Sequence, residues 1–132
     1  MITRCPISNI PRVVDIGIFK HAKNKLSLAA GEVLFLEGDT GDVMYAVVDG
    51  QLDLTVSGRL LDRVVEGGIV GEMALIDHAP RSATVTARTA AQVVPVDQTH
   101  FMFLVQEHPT FALLVMRVMA ERIRHSNQHN TA

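Results

Sequence analysis

Residues 67–85 read GGIVGEMALIDHAPRSATV, and this stretch says more about the chain than any other. Its three glycines let the backbone approach a ligand closely and take positive φ. The composition of residues 72–76 predicts about one helical turn, whose free N–H groups would point back toward Gly71 and attract anions. Pro80 stiffens the return into the next strand. The stretch therefore predicts a binding loop between two strands and not an ordinary connection.

Two opposite charges bracket this loop. Arg81 is able to hold a phosphate through two parallel hydrogen bonds, and an ionised Glu72 only accepts hydrogen bonds, as a ligand hydroxyl requires. The Ser82 hydroxyl and the Ser82 and Ala83 amides add donors. This set suits a ligand with one negative charge and an adjacent hydroxyl, and suits a triphosphate poorly. From the spacing alone, a structural ion pair between Glu72 and Arg81 is the alternative.

Short β-type runs broken by glycine turns extend from about residue 30 to 96. Asp49-Gly50 is a strong hairpin signal, because both central residues of that turn type need positive φ. After it, Leu52, Leu54 and Val56 alternate with polar residues, as in a half-buried antiparallel strand. Helices of 10–15 residues do not separate the predicted strands, which excludes βαβ units. The pattern predicts a mainly β fold with α, in which the antiparallel strands form either a barrel or a jelly roll.

The hydrophobic period becomes helical after residue 97. Asp97 or Thr99 caps a short helix, and Pro109 suits the first turn of a second one. The second helix carries an apolar stripe, formed by Phe111, Leu114, Val115, Val118, Met119 and Ile123. Leu113, Met116 and Ala120 widen that stripe, so the helix is either clamped against another surface or simply well buried.

Composition bounds the remaining possibilities. The 132 residues are 48% hydrophobic with a mean hydropathy of +0.22, which suits one folded domain over 1–132. We divide it into an N-terminal segment (1–29), the β-barrel (30–96) with its loop at 67–85, and the C-terminal helices (97–125). A net charge of −2 argues against nucleic acid as a partner, and no apolar run is long enough for a membrane span. The opening residues do not resemble a secretion signal, so we expect a cytoplasmic protein.

Cysteine and histidine usage bears on metal sites. The single cysteine excludes an intrachain disulfide and a cysteine-based zinc site. The six histidines show neither H-x-H nor H-E-x-x-H spacing. We therefore predict no metal and no cofactor.

The motif Gly-Glu-Met-Ala-Leu, four residues, then Pro-Arg-Ser-Ala-Thr-Val (71–85) closely resembles the phosphate-binding cassette of cyclic nucleotide-binding domains. These domains occur in bacterial catabolite-activator-type regulators, in cyclic-nucleotide-dependent kinases and in cyclic-nucleotide-gated channels. Segments 30–39 and 41–50 look like the first strands of the family. The resemblance covers about residues 30–124.

The resemblance implies an antiparallel jelly-roll β-barrel with flanking helices, a non-catalytic domain that binds cAMP or cGMP without changing it. By this carry-over, Glu72 takes the ribose 2′-hydroxyl and Arg81 pairs with the cyclic phosphate. Backbone amides near Met73, Ala74 and Ala83 complete the cradle, and Val70 and Leu75 line its apolar sides. The implied ligand-binding residues are Val70, Gly71, Glu72, Met73, Ala74, Leu75, Arg81, Ser82 and Ala83.

The resemblance also makes the helix over 109–124 the candidate lid over the base. Arg117, Arg124 and Asn127 are the candidates for contact with the base. Ser82 stands where guanine-selective kinase domains tend to carry threonine, so we predict cAMP, with cGMP tolerated.

Two alternative functions, and the partner that receives the signal, remain open. A degenerate, ligand-free domain of the same fold could act as a protein-interaction module, although both Glu72 and Arg81 are present. A cupin-type enzyme would need paired histidine and glutamate ligands, which the sequence lacks. We expect no DNA-binding segment after Arg124, and expect the output to be an unknown protein effector in trans or a homodimer through the last helix.

Overall fold

The computed structural model describes Phe19 and residues 22–130, with side chains through His125. Eight strands form two four-stranded antiparallel sheets in this part of the chain. The first sheet has the order β1-β8-β3-β6 and the second β2-β7-β4-β5. The strands are β1 (Leu26–Leu28), β2 (Val33–Phe35), β3 (Met44–Asp49), β4 (Leu52–Val56), β5 (Arg59–Val64), β6 (Ile69–Val70), β7 (Thr84–Ala87) and β8 (Ala91–Val96).

The predicted mainly β jelly-roll is confirmed as a roll of two sheets, and the barrel is not closed. Alternating apolar residues from both sheets meet between them, among them Leu52 and Leu54 of β4 and Val85 of β7. β1 lies before the predicted start of the barrel at residue 30 and pairs with β8. The predicted N-terminal segment 1–29 lies largely outside the described residues.

The turn at Asp49-Gly50 is not the hairpin that its sequence predicts. β3 pairs with β6 and β8, whereas β4 pairs with β5 and β7, so this turn carries the chain from one sheet to the other. Gly50 has a φ of +86°, and a Cβ there would lie 2.3 Å from the Ala90 carbonyl oxygen. The turn requires glycine because of this positive φ and because the backbone at residue 50 lies close to Ala90. Neither requirement specifies which strands pair. The adjacent-strand hairpin forms instead between β4 and β5, through Ser57-Gly58.

Within residues 22–130, three helices accompany the sheets: α1 (Glu72–Asp77), α2 (Gln98–Glu107) and α3 (Pro109–Asn130). Asp97, not Thr99, caps α2, since its Oδ1 accepts a 2.8 Å bond from the His100 amide. α3 begins at Pro109, as predicted. None of these helices within residues 22–130 is long and apolar enough to cross a membrane.

The helices cover the outer face of the first sheet. Phe101 of α2 and Phe111 of α3 pack with ring centroids 5.7 Å apart, and Val115 and Val118 continue the contact. The first sheet is therefore buried on both faces. The extra apolar residues of α3 are not buried: Leu113 is 49% and Met116 58% exposed. The wide stripe of α3 thus has one half in the core and one half open to solvent.

Candidate functional site

A cavity of about 180 Å³ lies between the second sheet, the loop around α1, and α3. Strands β2, β4, β5 and β7 provide one wall, and residues 71–74 of the loop and of α1 provide another. α3 reaches the cavity with Arg122 and Ile123. The lining residues are Phe35, Leu54, Val56, Leu61, Gly71, Glu72, Met73, Ala74, Arg81, Ser82, Ala83, Val85, Arg122 and Ile123.

The structure gathers most of the predicted ligand-binding residues at this cavity. Gly71, Glu72, Met73, Ala74, Arg81, Ser82 and Ala83 line it. Val70 and Leu75 do not line it and lie in the core. Val70 is enclosed between the sheets, and Leu75 packs against the first sheet and the helices. The apolar wall is built instead from β4, β5 and β7, by Leu54, Val56, Leu61 and Val85.

Arg81 is held in the cavity wall with hydrogen-bonding capacity to spare. The side chain is only 5% exposed, and its Nη1 donates to the carbonyl oxygens of Val43 (2.8 Å) and Gly71 (3.3 Å). Its guanidinium carbon lies 4.1 Å from the centre of the Phe35 ring. A Cβ on Gly41 would lie 2.5 Å from Nε, so a side chain at this position would displace the guanidinium.

The charge of Arg81 has no close counter-ion. No carboxylate oxygen lies within 4.0 Å of it among the described residues, and its buried Nε has no hydrogen-bond partner there. Burial lowers the pKa of Arg81, against the opposing effect of Tyr45 and of the more distant carboxylates. Since a buried charge without a partner is unfavourable, an anion in the cavity would relieve this group.

Glu72 is paired with Arg122 and not with Arg81. The Glu72 side chain is 2% exposed, and its Oε1 accepts a 2.7 Å bond from Arg122 Nη1. The alternative of a structural Glu72–Arg81 ion pair is therefore not what the described residues form. Glu72 and Arg81 thus face the same cavity with separate partners.

Arg122 connects α3 to three other elements. Besides Glu72, its Nε donates to Asp62 Oδ2 of β5 at 3.1 Å and its Nη2 to the Ile69 carbonyl of β6 at 2.7 Å. Burial pushes the pKa of Arg122 down, but the two carboxylates outweigh burial and raise it above its usual value. Burial raises the pKa of the Asp62 carboxyl, with Arg122 opposing that shift. One buried cation is thus shared by two buried carboxylates.

Two residues that the structure places around Glu72, Arg122 and Asp62, were not predicted from the sequence. Arg122 has a signal: it continues the buried stripe of Val115 and Val118 at helical spacing, and an arginine on a buried face needs a buried acceptor. Asp62 has none, because β5 buries Leu61 and Asp62 in succession and departs from strand alternation. The proposed base contacts Arg117 and Arg124 are exposed and do not line the cavity, and the Asn127 side chain lies outside the described residues.

Comparison with known proteins adds the family. The family model described as "Cyclic nucleotide-binding domain" matches residues 25–108. Lysophospholipase NTE1 of Chaetomium globosum is 30% identical over 150 aligned positions, which cover 90% of this chain and 10% of that protein. The chain therefore spans about a tenth of the length of this curated relative.

Solved structures share the fold. A cAMP-bound PfPKA-R structure has a TM-score of 0.74 at 23% identity, covering 95% of this chain and 45% of that chain. That likeness supports the fold alone. The cGMP-bound form of the EAL enzyme Bd1971 has a TM-score of 0.61 at 30% identity, covering 80% of this chain and 29% of that chain.

Proposed function

This chain belongs to the cyclic nucleotide-binding domain family, and we propose that it is a non-catalytic sensor that binds cAMP, tolerates cGMP, and signals to a partner by movement of α3. Family membership supports cyclic nucleotides as the ligand class. The cavity geometry supports the residue roles. Placement in the cytoplasm stays a prediction from the sequence.

Arg81 is the observation that carries the proposal. Its guanidinium lines the cavity, has no carboxylate within 4.0 Å among the described residues, and keeps Nε without a partner. A cyclic phosphate carries one negative charge and offers acceptor oxygens in the geometry that an arginine fork matches. Binding would give the buried cation its missing counter-ion.

The rest of the cavity suits a nucleoside. Glu72 offers a carboxylate oxygen for the ribose 2′-hydroxyl, while Leu54, Val56 and Leu61 form an apolar wall suited to a flat purine ring. Ser82 is exposed and places its hydroxyl at the cavity. Because this residue is serine, we propose cAMP as the preferred ligand over cGMP.

The position of α3 supports the signalling part of the proposal. Arg122 and Ile123 belong to α3 and line the cavity directly, so a ligand that contacts either side chain changes how this helix is held. The exposed apolar residues Leu113 and Met116 lie on the same helix, where an effector in trans or a second copy would contact it. The alternative function is a ligand-free interaction module of the same fold.

Ligand binding is tested by thermal unfolding. At 100 times its dissociation constant, cAMP should stabilise the native state by about 2.7 kcal/mol, which raises the melting temperature of a domain of this size by roughly 10 °C. The matched control is 5′-AMP, which has the same base and sugar but an open phosphate, and which should shift the melt far less. A melt unmoved by both cAMP and cGMP would reject the sensor in favour of the ligand-free module.

Movement of α3 is tested by hydrogen exchange. Bound nucleotide should increase the protection of the backbone amides over 109–124. Without ligand, the polar contacts of α3 at the cavity are those of Arg122, and the ligand adds further contacts to this helix. Strand β8, buried on both faces, serves as the internal control and should keep its protection. Equal exchange of 109–124 with and without nucleotide would contradict a signalling role for α3 while leaving ligand binding intact.

A further inference from the structure

Each of the three nitrogens of the Arg122 guanidinium donates a hydrogen bond to a different structural element. Nε donates to Asp62, Nη1 to Glu72 and Nη2 to the carbonyl of Ile69. Asp62 is 1% and Glu72 2% exposed, so neither carboxylate depends on water for its main partner. Arg122 is therefore the shared cation of two carboxylates with different surroundings.

The two carboxylates are used unequally. Both oxygens of Asp62 are in use, since Oδ2 accepts from Arg122 and Oδ1 accepts a 2.8 Å bond from the Arg63 amide. Glu72 accepts through Oε1 only, within the part of the chain that the structure describes. Among the side chains described through His125, the enclosed polar atoms without a partner are Arg81 Nε and His125 Nδ1. Glu72 Oε2 is not one of them, and Glu72 lines the cavity, which leaves Oε2 as the oxygen available to a ligand.

We propose that Asp62 is a positioning residue for ligand binding: by holding Nε of Arg122, it keeps that guanidinium from taking both oxygens of Glu72 and reserves Oε2 for the sugar hydroxyl. This inference rests on the proposed function, because it concerns the hydroxyl that Glu72 receives. Asp62 does not line the cavity and acts only through Arg122.

The reason lies in the preference of guanidinium for carboxylate. An arginine beside a single carboxylate favours the two-bond fork, in which both oxygens are occupied. A two-bond fork to Glu72 would pair Nη1 with Nη2, and Nη2 is bonded to the Ile69 carbonyl. Asp62 is a second anion, bonded to Nε, and it holds the guanidinium in the orientation that keeps Nη2 on that carbonyl. Without that second anion, the guanidinium turns its fork to Glu72 and closes the oxygen that the ligand needs.

Asp62→Asn is the informative substitution. Asparagine keeps the size of aspartate but replaces one carboxylate oxygen by a donor NH2 group, so it accepts at only one of the two positions that the Arg63 amide and Arg122 Nε occupy. The hold on Arg122 is weakened with little change in packing. The matched control is Asp53→Asn. Asp53 Oδ1 lies 2.9 Å from Arg63 Nε, on the partly exposed side of the same hairpin, and Asp53 does not line the cavity.

The readout is the ratio of the dissociation constants for 2′-deoxy-cAMP and cAMP, measured by calorimetry. Wild type should favour cAMP by at least roughly tenfold, the value of a hydrogen bond to a charged group. Asp62→Asn should bring the ratio close to one, and Asp53→Asn should leave it unchanged. A general loss of structure would weaken both ligands alike and preserve the ratio, so a preserved ratio in Asp62→Asn overturns the inference.

A second variant keeps the test decisive if Asp62→Asn does not fold. Asp62→Glu retains the carboxylate that pairs with Arg122 and leaves the cation of Glu72 in place. The ratio should then stay close to the wild-type value. A ratio near one in Asp62→Glu overturns the inference, because an anion beside Arg122 would then not be what reserves the oxygen of Glu72. Wild type that binds neither ligand rejects the proposed function, a failure seen without any variant.

Discussion

Arg122→Met should lower the free energy of unfolding by about 3–5 kcal/mol, because it leaves buried carboxylates without their cation. Asp62 and Glu72 are 1% and 2% exposed and share this guanidinium. The same change frees the Ile69 carbonyl and removes the polar link from α3 to β5 and β6. With typical domain stabilities of about 5–15 kcal/mol, this is a large fraction of the total.

Chemical denaturation measures this loss. Arg124→Ala is the matched control, since Arg124 lies two positions further along α3, is 65% exposed and pairs with Glu121 of its own helix. We expect the control to change stability by less than about 1 kcal/mol. A loss of the same small size in Arg122→Met would mean that water compensates the carboxylates, and that Arg122 does not anchor α3.

Arg81→Lys should remove most of the stabilisation by nucleotide. Lysine keeps the positive charge but offers a point charge where arginine offers a planar fork, and we expect an affinity loss of at least roughly hundredfold from the lost bidentate, charge-assisted contact. At a cAMP concentration of 100 times the wild-type dissociation constant, stabilisation would then fall from about 2.7 to about 0.4 kcal/mol.

Thermal shift with and without cAMP measures this effect, with Arg88→Ala as the control. Arg88 is exposed and does not line the cavity, so its loss should leave the shift intact. A full wild-type shift in Arg81→Lys would show that the fork of Arg81 does not hold the phosphate.

Lysine is a sharper substitution here than alanine. From the sequence alone, Arg81→Ala is expected to leave the ligand-free melt nearly unchanged. The structure contradicts the basis of that expectation, because Arg81 Nη1 bonds the carbonyls of Val43 and Gly71. Leaving such acceptors unpaired costs about 1–3 kcal/mol, whereas a lysine ammonium retains a donor for them.

The fold was predictable because its signals are local. Period-two alternation in Leu52, Leu54 and Val56 specifies a strand with one buried face, and Pro109 specifies the start of a helix. Strand pairing was less predictable. Asp49-Gly50 carries the signature of a hairpin, yet the strands on either side of it join different sheets. The backbone dihedral needed at Gly50 is the same in both arrangements, so the turn residues do not distinguish them.

The candidate site was predictable to the extent that it lies within one stretch of chain. Glu72 and Arg81 are nine positions apart, and their loop brings both to one cavity. Val70 and Leu75 belong to the same stretch, but their side chains are directed into the cores, where burial of apolar area favours them. Proximity in sequence therefore did not separate lining residues from core residues.

The sequence by itself determined that this chain folds as a mainly β domain with C-terminal helices and carries an arginine and a carboxylate in a glycine-rich loop. Local periodicity, turn chemistry and motif spacing suffice for that. Only the tertiary structure decided that Glu72 is paired with Arg122, 50 positions away, and that Asp62 shares the same cation. The physical reason is desolvation: a buried charge takes whichever opposite charge the fold brings within reach, and distance along the chain does not enter that choice.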